Sequence, residues 1–290
     1  MADKIEKDAV TGVDTTGHEW DGIRELNNPL PRWWVYTFYA CIAFSVVWMV
    51  LYPSWPWSNG HLKGLLGSNQ RLDLESRLVE AKAARAEWLD KIAAADTATI
   101  KGDPNLLQFA VAGGETSFKT NCAPCQALGG AGQGFFPTLA DDDWLWGGDL
   151  EQVEHTIRHG IRNGEDAEAR DNAMPAFGAD GLLDQKQIGS VVQHVLSLTG
   201  RATDPAAAEE GAAVFAENCA SCHGEQGEGI KEMGAPALND AIWLYGGEAP
   251  QIAAQINRPR LGVMPRWQGR LDDATIKMLA VYVHGLGGGQ

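Results

Sequence analysis

The 290-residue chain is long enough for two domains of ordinary size, and 44% hydrophobic against 21% charged residues excludes wholesale disorder. Its 38 acidic and 23 basic side chains give a net charge of −15. That excludes a nucleic-acid binder built on cationic surface, and it suits a cationic partner or simple solubility. Five cysteines, an odd number, exclude a complete disulfide framework, and 34 glycines point to loop-rich domains.

Residues 1–32 are polar, with Asp3, Glu6, Asp8, Asp14, Glu19, Asp21 and Glu25 against Lys4, Lys7, Arg24 and Arg32. Residues 33–52, WWVYTFYACIAFSVVWMVLY, then run for 20 residues without a charge. As a helix this segment reaches about 30 Å, one bilayer core. Trp33, Trp34 and Tyr36 at one end and Tyr52, Trp55 and Trp57 at the other match interfacial aromatic belts, and Pro53 and Pro56 end the helix. A transmembrane helix is therefore expected, with a buried soluble helix as the competing reading. A cleaved signal peptide fits poorly, because a long polar segment precedes the span and no small-residue cleavage pattern follows it. The span holds Cys41 but no histidine. Flanking charges encode orientation only weakly.

Residues 53–104 read as a linker and a polar spacer or docking helix over Arg71–Ala95, with Leu74, Leu78, Ala81, Arg85, Trp88 and Ile92 forming a thin stripe. Beyond it the chain repeats. GETSFKTNCAPC at 114–125 matches GAAVFAENCASC at 211–222, and FPTLADDDWLWGGD matches APALNDAIWLYGGE. NAMPAF, with Met174, matches GVMPRW, with Met264, and the segment opening at Asp184 parallels that opening at Asp272. Four blocks in the same order mean a duplicated domain, 105–200 and 201–290, joined at GRATDPAAA. In each copy a helix carries Gly, Phe and Cys at i, i+4 and i+8: Gly114, Phe118, Cys122 and Gly211, Phe215, Cys219. A loop follows, then a helix capped by Asp184 or Asp272, with Ile188, Val191, Val192, Val195 or Ile276, Leu279, Ala280, Val283 as its apolar face. Roughly 90 residues with two short helices bury too little apolar surface unaided, and a large apolar cofactor would complete the core.

The second copy reads CASCH: Cys219, Cys222 and His223. C-x-x-C-H is the c-type haem attachment signature. Sulfurs at i and i+3 reach the two vinyl groups on one porphyrin edge, and the adjacent imidazole ligates iron. A second axial ligand is expected from Met264, 41 residues on, since His/Met ligation is an electron-transfer pattern. Pro236 is placed to fix the His223 tautomer through its carbonyl. A thioredoxin-like pair would need a βαβ context, and a zinc ribbon would need closer pairs. The first copy reads CAPCQ: Cys122 and Cys125 are followed by Gln126, with Met174 and Pro137 in the matching places. Unusual ligation, a labile or empty site, and an error in the sequence are all open there. His155 and His159 offer substitute imidazoles, although a solvated helix face is the simpler role for both.

HEWDGI…ELNNPLPRWW before one span, then two c-type motifs with WLWGG/WLYGG and an LGGG end, resembles the dihaem c subunit (subunit III) of cbb3-type cytochrome c oxidases. The resemblance implies a mostly α fold: one N-terminal transmembrane helix and two tandem class I cytochrome c domains. It implies two haem c groups, attached through Cys122 and Cys125 and through Cys219 and Cys222, with His223, Met264 and Met174 as axial ligands. Gln126 departs from the family's histidine, and either methionine can serve either iron, exchanged between the domains. The implied role is a non-catalytic one, passing electrons from c-type cytochromes or a cytochrome bc complex, through a monohaem c subunit, to the haem–copper subunit that reduces oxygen and pumps protons. Inner-membrane anchoring follows, with 53–290 periplasmic and 1–32 cytoplasmic. A free-standing membrane-anchored cytochrome serving another enzyme, or an assembly and anchoring subunit with one redox-active domain, is the alternative.

Overall fold

A computed structural model describes residues 5–53, 55–58 and 60–287. Asp3, Lys4, the Trp57 side chain and the last glycines of the LGGG end lie outside the described residues. The chain divides into two compact units, residues 1–83 and 84–290.

In the first unit, β1 (Thr15–Trp20) and β2 (Ile23–Leu26) form an antiparallel hairpin pairing Glu19 with Arg24 and Trp20 with Ile23. Asp21 and Gly22 both take positive φ at its tip (49° and 81°). That Asp-Gly turn is the local signal for a hairpin in a segment read from sequence only as a polar tail. Helix α1 (Arg32–Leu51) has no buried residue, and Trp33, Tyr36, Phe44 and Trp48 all face outward. An apolar helix exposed all round is unsuited to a soluble core and suited to lipid. It is long and apolar enough to cross a membrane, and Tyr52 stacks on Trp48 at its end (4.3 Å). Two short strands, β3 (Pro56–Trp57) and β4 (Gly60–His61), pair beyond it.

Helix α2 (Gln70–Ala94) spans the division at 83/84. Within the second unit its end packs through Ile92, Trp88 and Leu89 against α3 (Thr97–Gly102) and α4 (Pro104–Asn121), and Trp88 stacks on Phe109 (5.8 Å). Lys277 Nζ donates to the carbonyls of Ala93 and Ala95 (2.7 and 2.9 Å), satisfying orphan acceptors at the helix C-terminus. The stripe packs at its C-terminal end through Trp88 and Ile92, whereas Leu74 and Leu78 are exposed.

The rest of the second unit comprises α5 (Ala123–Gln126), α6 (Leu150–His159), α7 (Gln185–Ser197), α8 (Pro205–Asn218), α9 (Ala220–His223), α10 (Ala249–Asn257) and α11 (Asp273–His284). The expected caps are present: Asp184 accepts from Gln187 N (2.8 Å) and Asp272 from Thr275 N (2.9 Å). The packing of these helices crosses the repeat boundary. One core joins Phe118 of α4 and Val153 and Ile157 of α6 to Ile276, Leu279, Ala280 and Val283 of α11. The other joins Phe215 and Cys219 to Ile188, Val191, Val192 and Val195 of α7 and Ile252 and Ile256 of α10. Each repeat therefore lends its last helix to the other. The boundary at 200/201 divides the sequence but not the cores.

Close approach of main chains explains the glycines of the repeat. A Cβ on Gly211 would lie 2.0 Å from Ser190 O, and one on Gly114 2.3 Å from Met278 O. Ser190 and Met278 occupy equivalent places, six residues after Asp184 and Asp272 respectively. In the same way Phe215 packs on His194 and Phe118 on Tyr282, with ring centroids 5.0 and 5.4 Å apart.

Candidate haem sites in the two composite cores

The two attachment motifs have the same backbone. Cys122 ends α4 and Cys219 ends α8, each amide donating to the phenylalanine four residues earlier (2.8 Å in both). A one-turn helix follows, in which Cys222 N and His223 N reach Cys219 O (3.1 and 2.9 Å), as Cys125 N and Gln126 N reach Cys122 O (3.1 and 2.9 Å). Gln126 therefore stands in the place of His223. Cys219 is buried, whereas Cys222 and Cys122 are half-buried and Cys125 is exposed. Burial pushes the Cys122 and Cys219 thiols up to about 11, each helped by the second cysteine of its pair. They are neutral thiols at pH 7, compatible with apolar surroundings and with conversion to uncharged thioethers.

In the second motif His223 Nδ1 lies 2.9 Å from Pro236 O. A carbonyl only accepts, so Nδ1 carries the hydrogen and Nε2 keeps its lone pair. Burial lowers the imidazole pKa, partly opposed by this bond, which keeps the ring in the neutral, ligating form. The proline loop is held by main chain: Leu238 N donates to Gly227 O (2.6 Å) and Gly229 N to His223 O (2.7 Å). The first motif repeats both bonds, as Leu139 N to Gly130 O (2.6 Å) and Gly132 N to Gln126 O (2.9 Å). Its side chain differs in one respect: Gln126 Oε1 is buried and has no hydrogen-bond partner among the described residues.

The methionines are exchanged together with the helices. Met174 packs against the core that contains Cys219, and Met264 against the core with Cys122 and Ala123. Of the two pairings left open by chain length, the packing favours the exchanged one: α7 pairs with α8 and carries the Met174 segment with it. Met264 is fixed by reciprocal bonds with Ile161 (Ile161 N to Met264 O 3.0 Å, Met264 N to Ile161 O 2.9 Å). The second core thus offers two thiols, an oriented imidazole and a thioether, a donor set that fits haem c. The first offers two thiols and a thioether with an amide oxygen in the imidazole's place, which fits attachment but supplies only a weak donor where the second core has an imidazole.

His155 and His159 do not stand on a solvated face. Val153 and Ile157 point α6 into the first core, so the histidines two residues on lie on another side of the helix. His159 is buried and His155 half-buried, their rings 4.7 Å apart. Arg162 and Arg170 both lie over the Trp146 ring (5.9 and 5.3 Å), in the WLWGG loop, a contact that spacing in sequence did not reveal. Gly234 lies against the same ring: a Cβ there would lie 2.2 Å from it.

Residues 12–59 match the model of the N-terminal domain of cytochrome oxidase-cbb3, FixP, and residues 109–195 and 206–283 match that of cytochrome c oxidase, cbb3-type, subunit III. The cbb3-type cytochrome c oxidase subunit CcoP of Azospirillum brasilense is 53% identical over 297 residues, covering 100% of both chains. The CcoP subunit of Cereibacter sphaeroides is 50% identical over 276 residues, 95% of each chain. The FixP subunit of Sinorhizobium medicae is 51% identical over 291 residues, 100% of each. One membrane-length helix, two cytochrome c cores and end-to-end likeness to these subunits place the chain in the cbb3-type cytochrome c oxidase subunit III family.

Proposed function

We propose that the chain is the electron-transfer subunit of a cbb3-type oxidase and that its second core, built on α7–α10, is the dependable redox centre. The observation that carries this is the donor set around Cys219: His223 with its Nδ1 hydrogen committed to Pro236 O at 2.9 Å, and Met174 packed into the same core. Haem c, when bound, supplies a one-electron couple. Cys219 and Cys222 would hold it covalently, and His223 Nε2 and Met174 Sδ would be the donors to its iron, while the buried helices exclude water and favour the reduced, less charged state. Cys122, Cys125 and Met264 hold the first haem, with Gln126 Oε1 as a weak donor. Helix α1 anchors the chain in the inner membrane, with 53–290 on the periplasmic side, where haem c is attached, and 1–32 in the cytoplasm. Electrons arrive from a c-type cytochrome or a cytochrome bc complex and leave through a monohaem c subunit to the haem–copper subunit.

Purification in mild detergent tests the assignment. Co-migration with a haem–copper subunit, and reduction by a c-type cytochrome, are expected. Migration alone would favour a free-standing cytochrome. Pyridine haemochrome then gives the haem count: two per chain where the first core is loaded, one where Gln126 leaves it empty.

A further inference from the structure

Outside the haem cores, His155 and His159 of α6 and Glu168 of the following loop bring one donor atom each to within 4.8 Å of one another. The first two are spaced i, i+4, so they project from one helix face. His159 Nε2 and Glu168 Oε2 lie 3.3 Å apart. Two donors bound to one tetrahedral ion at ~2.0–2.1 Å would be separated by about that distance. On its other side, His159 Nδ1 lies 3.1 Å from Asp166 Oδ2. That carboxylate takes the Nδ1 hydrogen and leaves the Nε2 lone pair facing Glu168, the outer-shell arrangement of metal-ligating histidines. Asp166 is itself held, accepting from Glu168 N (2.9 Å). His155 Nδ1 is buried without a hydrogen-bond partner among the described residues.

We propose that His155, His159 and Glu168 form a binding site for a divalent transition-metal ion of the zinc type, with Asp166 orienting His159. Two imidazoles and a carboxylate suit Zn²⁺, and Cu²⁺ is the spectroscopic substitute. Glu168, 71% exposed, gives the ion a path from solvent and leaves room for water as a fourth ligand. Arg170, which acts on His155, is engaged by Thr156 Oγ1 (2.8 Å) and by Gln152. Glu165 is paired with Arg266 and Arg270 (3.8 and 3.4 Å), so Asp166 and Glu168 set the local sign. The site also touches the first haem core. Asn163 Nδ2 donates both to His159 O (2.7 Å) and to Met264 O (3.3 Å), so an ion that ties α6 to residues 166–168 braces the main chain behind Met264.

The test uses the full-length, haem-loaded protein in detergent, without a polyhistidine tag, stripped with chelator and dialysed against Zn²⁺. One tight equivalent per chain is expected. Glu168→Gln, at an exposed position that leaves the fold intact, and His155→Gln should each weaken binding at least ~10-fold, and Asp166→Asn ~10–100-fold. Cu²⁺ in the same site should show nitrogen hyperfine structure from imidazole. Alkylating free thiols should leave binding unchanged. Binding that survives all three substitutions, or that disappears on alkylation, would assign the metal elsewhere and overturn the proposal, as would the absence of any tight equivalent.

Discussion

Substituting Gly211 by alanine tests the exchanged helix packing most directly. The added Cβ would meet Ser190 O at 2.0 Å, Ser190 C at 2.4 Å and Val191 N at 2.9 Å, all main-chain atoms of α7. Carbon–oxygen contacts ordinarily stop at about 3.3 Å, so the two helices must part by more than an ångström. Overpacking costs ~1–3 kcal/mol, and a main-chain obstacle that cannot change rotamer favours the upper end. Alanine returns up to ~1 kcal/mol in helix propensity, which leaves a net loss of about 1–2 kcal/mol. For a unit of this size that lowers Tm by roughly 2–8 °C. Gly189→Ala on the facing helix is the control. Nothing lies within 4 Å of its Cβ, so only the propensity gain of ~0.5–1 kcal/mol remains. Differential scanning of both variants in detergent gives the two shifts, expected with opposite signs. Double-mutant cycles then identify the partner. Coupling of ~0.5–1.5 kcal/mol is expected between Phe215 and His194 and between Phe118 and Tyr282. A Gly211→Ala protein as stable as the parent, or coupling of Phe118 to His194 and Phe215 to Tyr282 instead, would refute exchanged packing.

Three further outcomes follow from the same cores. Met174→Ala should lower the potential of the haem on Cys219 and Cys222 and abolish its sulfur-to-iron band with attachment intact, while Met264→Ala should spare that haem; redox titration of the two variants separates them. Gln126→His should add one haem per chain, or shift the first haem's spectrum and potential at constant haem content, as read by haemochrome assay and titration; no change in any of these would remove residue 126 from the iron. Burial depresses the His194 imidazole, opposed by the hydrogen bond it donates to the Ala208 carbonyl. A pKa depressed on folding contributes stability in full above the ordinary value of 6.5 and loses it as pH falls through 6.5 towards the folded value. Thermal unfolding at pH 7.5 and 5.5 should therefore show acid destabilisation, smaller in His194→Phe.

The membrane span, the duplicated plan, the C-x-x-C pairs, the Asp184 and Asp272 caps and the Gly–Phe–Cys faces are all legible in sequence, because each is set by local chemistry or by a short period. Partner choice is not legible. Gly114 with Phe118 and Gly211 with Phe215 present equivalent faces, and the faces of α7 and α11 fit either, so hydrophobic pattern cannot distinguish pairing within a repeat from pairing across it. The connection decides. Only residues 198–204 separate α7 from α8, and consecutive helices joined by so short a link become antiparallel neighbours. Gln193 Oε1 pins that link by accepting from Thr203 N (2.9 Å) and Asp204 N (3.1 Å). Helix α11, left without α8, takes the vacant face of α4, and each methionine travels with its helix. The half-buried His159–Asp166 contact and the orphaned Gln126 Oε1 have the same origin: both depend on which loop folds over which helix, a long-range outcome that no window of sequence contains.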